Sequence, residues 1–192
     1  KLVAETGPDV FESLGWYCST VIAAIGTHIA FLVLVTSVVG GVGPLKLWRG
    51  CRNAMMIAFT TRSSAATLPV SLDCVINKLG VSPKVANFAL PVGATVNMDG
   101  TAAHQAISVI FLIQMYGGLD DAMIPLTAFT MLLIAAMSAF AAIGAAPMPN
   151  AGLVIMAMVA GVAGLPVYYL AFIFAVDSFL DMFRTVVNVL GD

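Results

Sequence analysis

Five residues near the C-terminus have types and spacing suited to chemistry inside a membrane. Asp177, Asp181, Arg184, Asn188 and Asp192 recur at i, i+4, i+7, i+11 and i+15 in an otherwise apolar run. At about 100° per residue they fall within about 80° of one helical face. An ionised side chain at the centre of a bilayer costs about 2.5–3.5 kcal/mol even on the lenient insertion scale, so such a stripe implies something polar to bind. The blander alternative is that Asp181 and Arg184 only neutralise one another as a packing pair. That leaves Asp177, Asn188 and Asp192 on the same stripe without a reason. A second polar group, Asn97-Met98-Asp99-Gly100-Thr101, interrupts another apolar run. Gly and Asx residues at a mid-membrane break free backbone amides and carbonyls from the helical ladder, which is useful only where a polar ligand takes them up.

The elements that must position these groups are built for lipid. Of 192 residues, 60% are hydrophobic and 9% charged, and the mean hydropathy is +1.02. A soluble domain carries about a quarter charged residues, so a water-facing surface cannot be covered here. The net charge of −2 comes from singly scattered side chains, with no basic patch for nucleic acid. Cys18, Cys51 and Cys74 match no metal spacing and read as small buried hydrophobes. The chain starts at Lys1 and stops at Asp192 within an apolar-periodic helix, so it reads as a portion of a longer protein.

The chain divides into five segments. The sequence predicts a tilted spanning helix over 10–42, longer than a ~30 Å hydrocarbon core requires. His28 within it reads as a packed or hydrogen-bonded histidine. The segment 45–79 is interrupted by Thr61-Arg62-Ser63-Ser64 and by Pro69. Its apolar stretch, 53–77, is preceded by Lys46, Arg49 and Arg52 and followed by Lys78 and Lys84. Basic residues at both ends put both on the cytoplasmic side, so the segment reads as a re-entrant hairpin with a buried polar tip. A broken helix follows over 83–116, then an acidic, external link at 117–121. A second re-entrant hairpin over 121–165 has the tip Ile143-Gly144-Ala145-Ala146-Pro147-Met148-Pro149-Asn150-Ala151-Gly152, which no continuous helix would choose. The final helix spans 167–192. Ser63 precedes Asp99 by 36 residues, and Pro147 precedes Arg184 by 37. The reading is an all-α membrane protein of two inverted repeats, each a re-entrant hairpin plus a polar or broken helix, preceded by one spanning helix. Interrupted segments in matching positions of inverted halves point to a midplane substrate site.

Three motifs in order carry a resemblance that covers essentially the whole chain. Thr-Arg-Ser-Ser-Ala-Ala-Thr-Leu-Pro (61–69), Asn-Met-Asp-Gly-Thr (97–101) and Asp-Met-Phe-Arg-Thr-Val-Val-Asn-Val-Leu-Gly-Asp (181–192) resemble the glutamate/aspartate:cation symporter family. The resemblance implies a multi-pass secondary transporter of the plasma membrane or bacterial inner membrane. It implies a homotrimer in which an elevator-like transport domain slides against a scaffold of earlier helices, largely absent from these residues. By the same resemblance Arg184 would hold a substrate side-chain carboxylate through its guanidinium fork. Asp181 would take the ammonium, with Thr185 and Asn188 adding hydrogen bonds. The main-chain carboxylate would meet Ser64 and the amides of the tips, including Arg62 and Ser63. Thr101 would contribute a hydroxyl, and the second tip, around Met148 and Gly152, would close as the outer gate.

Sodium, a hard cation, takes oxygen ligands. The resemblance implies one site at Asp192 with carbonyls of Gly93, Asn97 and Asn188. A second would use Asp99 with the Asn97 side chain. A third would use carbonyls near Thr95 and at Ala142, Ile143 and Ala145. Three departures stand out: Pro147 where relatives usually have glycine, His104 in place of a tyrosine, and Gln105 where proton- and potassium-coupled animal relatives carry glutamate. His104 reads as a silent packing residue sooner than a titrating one, Gln105 favours simple sodium coupling, and Arg62 with Met182 follows the prokaryotic arrangement of that arginine. The expected function is sodium-coupled symport of acidic amino acids, aspartate or glutamate. Alternatives are a proton-coupled dicarboxylate or neutral amino acid symporter of the same family, or a substrate-gated anion channel. An enzyme is disfavoured by the lack of a nucleophile–base pair.

Overall fold

A computed structural model describes residues 9–116 and 125–192. The described residues are helical and contain no strand. The first helix, α1 (Asp9–Val38), ends four residues short of the expected limit at 42. Gly41, at φ +66°, turns the chain in a left-handed conformation that closes off helical continuation. Pro44 then occupies the first turn of α2 (Pro44–Thr61), where its missing N–H costs nothing. Arg62 caps α2 in the left-handed region (φ 53°), and Ser63 begins α3 (Ser64–Asp73) by accepting the Ala66 N–H at 3.2 Å. Pro69 does not interrupt this arm, which runs through it and ends in a π-helical turn at Cys74–Lys78.

Ser82 and Pro83 start α4 (Pro83–Val96), and the break follows. It is narrower than the sequence suggests. Only Asn97 and Met98 lie outside a helix, and Asp99, Gly100 and Thr101 already form the first turn of α5 (Asp99–Tyr116). The acidic link at 117–121 and the start of the second hairpin lie outside the described residues. Thr127 and Thr130 form a reciprocal cap for α6 (Ala128–Ile143). The tip between α6 and α7 (Ala151–Val162) runs from Gly144 to Asn150, with Asn150 at φ 63°. A 3₁₀ turn at Val167–Leu170 leads into α8 (Ala171–Gly191), so the final segment is not one helix throughout.

The core lies where α1, α5, α7 and α8 meet. Tyr17, Val21 and Ile25 on one face of α1 pack with Leu112, Met156, Ile173 and Leu180. The opposite face of α1 exposes Trp16, Phe31, Leu34 and Val38, a surface suited to lipid. Among the described residues, Phe11–Val38 is the one stretch long and apolar enough to cross a membrane. The apolar helices α6 and α7, of 16 and 12 residues, are shorter than that. Cys74 is buried as expected, while Cys18 and Cys51 are only partly so.

Candidate functional site

Four elements converge on one polar cavity: Arg62 and Ser64 from the α2–α3 tip, Met98 and Thr101 from the break, residues 145–148 with Gly152 from the α6–α7 tip, and Asp181, Arg184, Thr185 and Asn188 from α8. The two tips touch. Ser63 Oγ donates to the Pro147 carbonyl at 2.8 Å, and the Ala65 N–H donates to the same oxygen at 3.3 Å. With the tips in contact the cavity volume is about 20 Å³, room for about one water.

Arg184 forms the floor and is 2% exposed. Its Nε and Nη2 both donate to Asp181 Oδ1, at 3.0 and 2.5 Å, and its Nη1 donates to His104 Nδ1 at 2.9 Å. Asp177 Oδ1 lies 3.7 Å from Arg184 Nη1 and makes no hydrogen bond. Asp181 Oδ2 is also buried without a partner. Unpaired buried carboxylate oxygens are costly, and a cationic ligand group would satisfy them. Asn188 ties the break to α8: its Nδ2 donates to Thr101 Oγ1 at 3.0 Å, and its Oδ1 accepts the Gly100 N–H at 2.8 Å. Thr185 turns its hydroxyl onto the Asp181 carbonyl at 2.8 Å.

A second cluster sits one to two turns further along α8. Asn97 Nδ2 donates to the Asn188 carbonyl at 3.1 Å and to Asp192 Oδ1 at 3.4 Å. Gly93 abuts Asp192, whose Oδ1 would lie 3.1 Å from a β-carbon at that position. Asp99 Oδ1 accepts the Gly100 N–H at 3.0 Å, and its Oδ2 is paired with His28 Nε2. The expected residues Gly93, Asn97, Asp99, Asn188 and Asp192 are thus neighbours, and all bring oxygen. The remaining four are less gathered. Ala142 and Ala145 pack in an apolar group with Met98, Ile143 is half exposed, and Thr95 bonds its hydroxyl back to the Val92 carbonyl at 2.9 Å. Of the tip residues, Met148 is 61% exposed although it lines the cavity.

Sequence reasoning gave α1 no part in the site beyond a lone histidine. The helix delivers Tyr17, whose hydroxyl lies 2.9 Å from His104 Nε2, and His28, which pairs with Asp99. Tyr17, Val21, Ile25 and His28 recur at i, i+4, i+8 and i+11, and that stripe was the available signal. His104, read as packing, is buried as expected and also bonds the central arginine. Gly152 was placed in the gate, and its position shows why glycine stands there. A β-carbon at 152 would lie 2.8 to 3.0 Å from Nη1, Cζ and Nη2 of Arg184. We expect Gly152→Ala to displace the guanidinium and weaken ligand binding about ten-fold while leaving thermal stability within about 1 kcal/mol, since a side-chain end and no backbone must move. Calorimetric titration beside a melting curve on the same protein measures both.

The chain as a whole, residues 1–192, matches the model of the sodium:dicarboxylate symporter family. It belongs to that family, which is one of transporters and not of enzymes. It is 40% identical over 193 residues to excitatory amino acid transporter 3 of Oryctolagus cuniculus, covering 100% of this chain and 36% of the relative. It is 43% identical over 185 residues to excitatory amino acid transporter 2 of Mus musculus, covering 95% of this chain and 31% of the relative. An excitatory amino acid transporter of Caenorhabditis elegans is 40% identical over 185 residues, covering 96% and 36%. The chain therefore spans about a third of the length of the curated relatives it matches.

Proposed function

We propose that this chain is the substrate-carrying portion of a membrane transporter that moves acidic amino acids, aspartate or glutamate, together with sodium. The observation that carries the reading is the buried Arg184, held by Asp181 on the floor of a cavity between two touching tips. A guanidinium fork suits a carboxylate, and the unpaired Asp181 Oδ2 suits an ammonium. In this reading Thr101, Thr185 and Asn188 orient the substrate, while Arg62, Ser63 and Ser64 at one tip and Met148 and Gly152 at the other enclose it. The printed names of the relatives, excitatory amino acid transporters, agree with that substrate class.

Charge explains the cation. Asp177 and Asp181 stand beside one buried guanidinium, and Asp99 and Asp192 lie in the cluster one to two turns further along α8. An anionic substrate added to a surplus of carboxylates in low dielectric is unfavourable unless cations arrive with it. Asp192 with Gly93, Asn97 and Asn188, and Asp99 with Asn97, are the proposed sodium ligands, with Thr95, Ala142, Ile143 and Ala145 completing a further site once the second tip moves. Gln105 is fully buried and uncharged, which favours sodium over proton or potassium coupling. The two tip-bearing helix pairs act as re-entrant hairpins of inverted repeats; α6 and α7, at about 24 and 18 Å, reach only partway through a ~30 Å core. The full-length protein works as a lipid-embedded, multi-pass homotrimer, its transport domain sliding against earlier helices.

Binding of labelled aspartate to the full-length protein in detergent, with and without sodium, tests the reading. Binding is expected only with sodium. Asp192→Asn is expected to raise the sodium concentration needed for half-maximal binding at least ten-fold while leaving the order of substrate preference unchanged. Unaltered sodium affinity in that variant would remove Asp192 from the cation site.

A further inference from the structure

Behind the cavity, the direction of each hydrogen bond around Arg184 can be worked out atom by atom. Arginine only donates, so His104 Nδ1 must accept from Arg184 Nη1 at 2.9 Å, and the single ring proton lies on Nε2. Nε2 then donates to the Tyr17 hydroxyl at 2.9 Å. That hydroxyl must donate onward, to Ser108 Oγ at 2.8 Å, and Ser108 Oγ donates to the His104 carbonyl at 2.7 Å. Reversing the Tyr17 bond would put the imidazole proton on Nδ1, facing an arginine that cannot accept it. All four side chains are buried: Tyr17 1%, His104 1%, Ser108 0% and Arg184 2% exposed.

The guanidinium carries five N–H groups. Two serve Asp181 and one serves His104, which leaves one on Nη1 and one on Nη2. One N–H on each terminal nitrogen, when both face outward, is what a single carboxylate accepts in parallel. We propose that His104, held as the Nε2–H tautomer between Arg184 and Tyr17 of α1, is a positioning residue that aims the Arg184 fork into the cavity and so sets the preference for substrates with a side-chain carboxylate. The inference rests on the reading of Arg184 as the carboxylate-binding group. Without the His104 acceptor, Nη1 has a competing anion 3.7 Å away in Asp177, and the guanidinium turns toward it and off the cavity. Packing alone would make any side chain of similar volume adequate at position 104. The hydrogen-bond chain requires an acceptor there, and it gives α1 a part in selectivity.

The test uses the full-length protein at saturating sodium and compares displacement of labelled aspartate by aspartate and by asparagine, its uncharged counterpart. His104→Leu keeps approximate volume and removes the acceptor; it is expected to weaken aspartate about ten-fold while asparagine changes less than about two-fold. His104→Asn places an amide oxygen near the lost Nδ1 and is expected to recover most of the preference. Tyr17→Phe leaves the buried Nε2–H without its acceptor, loosens the imidazole, and is expected to lower the preference about two- to five-fold. Equal loss for aspartate and asparagine in His104→Leu, or His104→Asn no better than His104→Leu, would overturn the positioning role. A wild-type protein without preference for aspartate over asparagine would instead overturn the Arg184 reading and the inference with it.

Discussion

Arg184→Cys is expected to abolish uptake of aspartate and glutamate and to admit small neutral amino acids. Arg184 is the buried guanidinium on the cavity floor, and no other basic side chain lies as deep among the cavity's lining residues; Arg62 at the tip is only partly buried. Its removal leaves a substrate carboxylate in low dielectric without a counter-charge, and breaking a buried charge pair costs about 3–5 kcal/mol, or a factor of about a hundred to several thousand in affinity. Cysteine also frees volume beside Gly152, where an uncharged side chain would fit. Uptake of labelled aspartate and serine by the variant and the wild type, in the same vesicles, measures both halves. Aspartate uptake with unchanged apparent affinity would show that the substrate carboxylate binds elsewhere.

Gly100→Ala is expected to damage folding and binding together. Gly100 sits where the first turn of α5 meets α8. A β-carbon there would collide with Val187 Cγ1 and lie 2.8 Å from both the Arg184 carbonyl oxygen and Asn188 Oδ1. Backbone cannot yield as a side-chain tip can, so α5 must separate from α8. That costs about 1–3 kcal/mol as an overpacked contact and breaks the Gly100 N–H bond to Asn188. Since Asn188 also donates to Thr101, the break would lose its register against the arginine. Thermal unfolding in detergent is expected to shift down by several degrees, with aspartate binding weakened at least ten-fold. An unchanged melting temperature would contradict the close approach of the two helices. The contrast with Gly152→Ala, which meets only a side chain, separates a packing glycine from a site glycine.

Much of the architecture was legible because the signals are local. The α8 stripe declares itself by its 3.6-residue period, and the two tips by Ser, Gly and Pro where a helix would not place them. The break at 97–101 was legible in place but not in extent. Gly100 reads as a loosening residue in one dimension, whereas in three it is a close-packing residue inside a helix. Long-range partnerships left no local trace. Tyr17 and His104 are 87 residues apart, and His28 and Asp99 are 71 apart. Each is a single polar residue in an apolar run, with nothing in sequence to name its partner. His104 illustrates the cost: alone on a helix it looks like filler, and only its distance to Arg184 gives it a task.

In the proposed function, sodium drives acidic amino acids through this site. The most direct measurement is uptake of labelled aspartate by the full-length protein in proteoliposomes, with sodium, proton and potassium gradients imposed one at a time. Concentrative uptake is expected under an inward sodium gradient alone, abolished when sodium is equal on both sides and unaffected by the other two gradients. Uptake driven by protons with no sodium present, or no accumulation of aspartate or glutamate under any sodium gradient, would contradict the account.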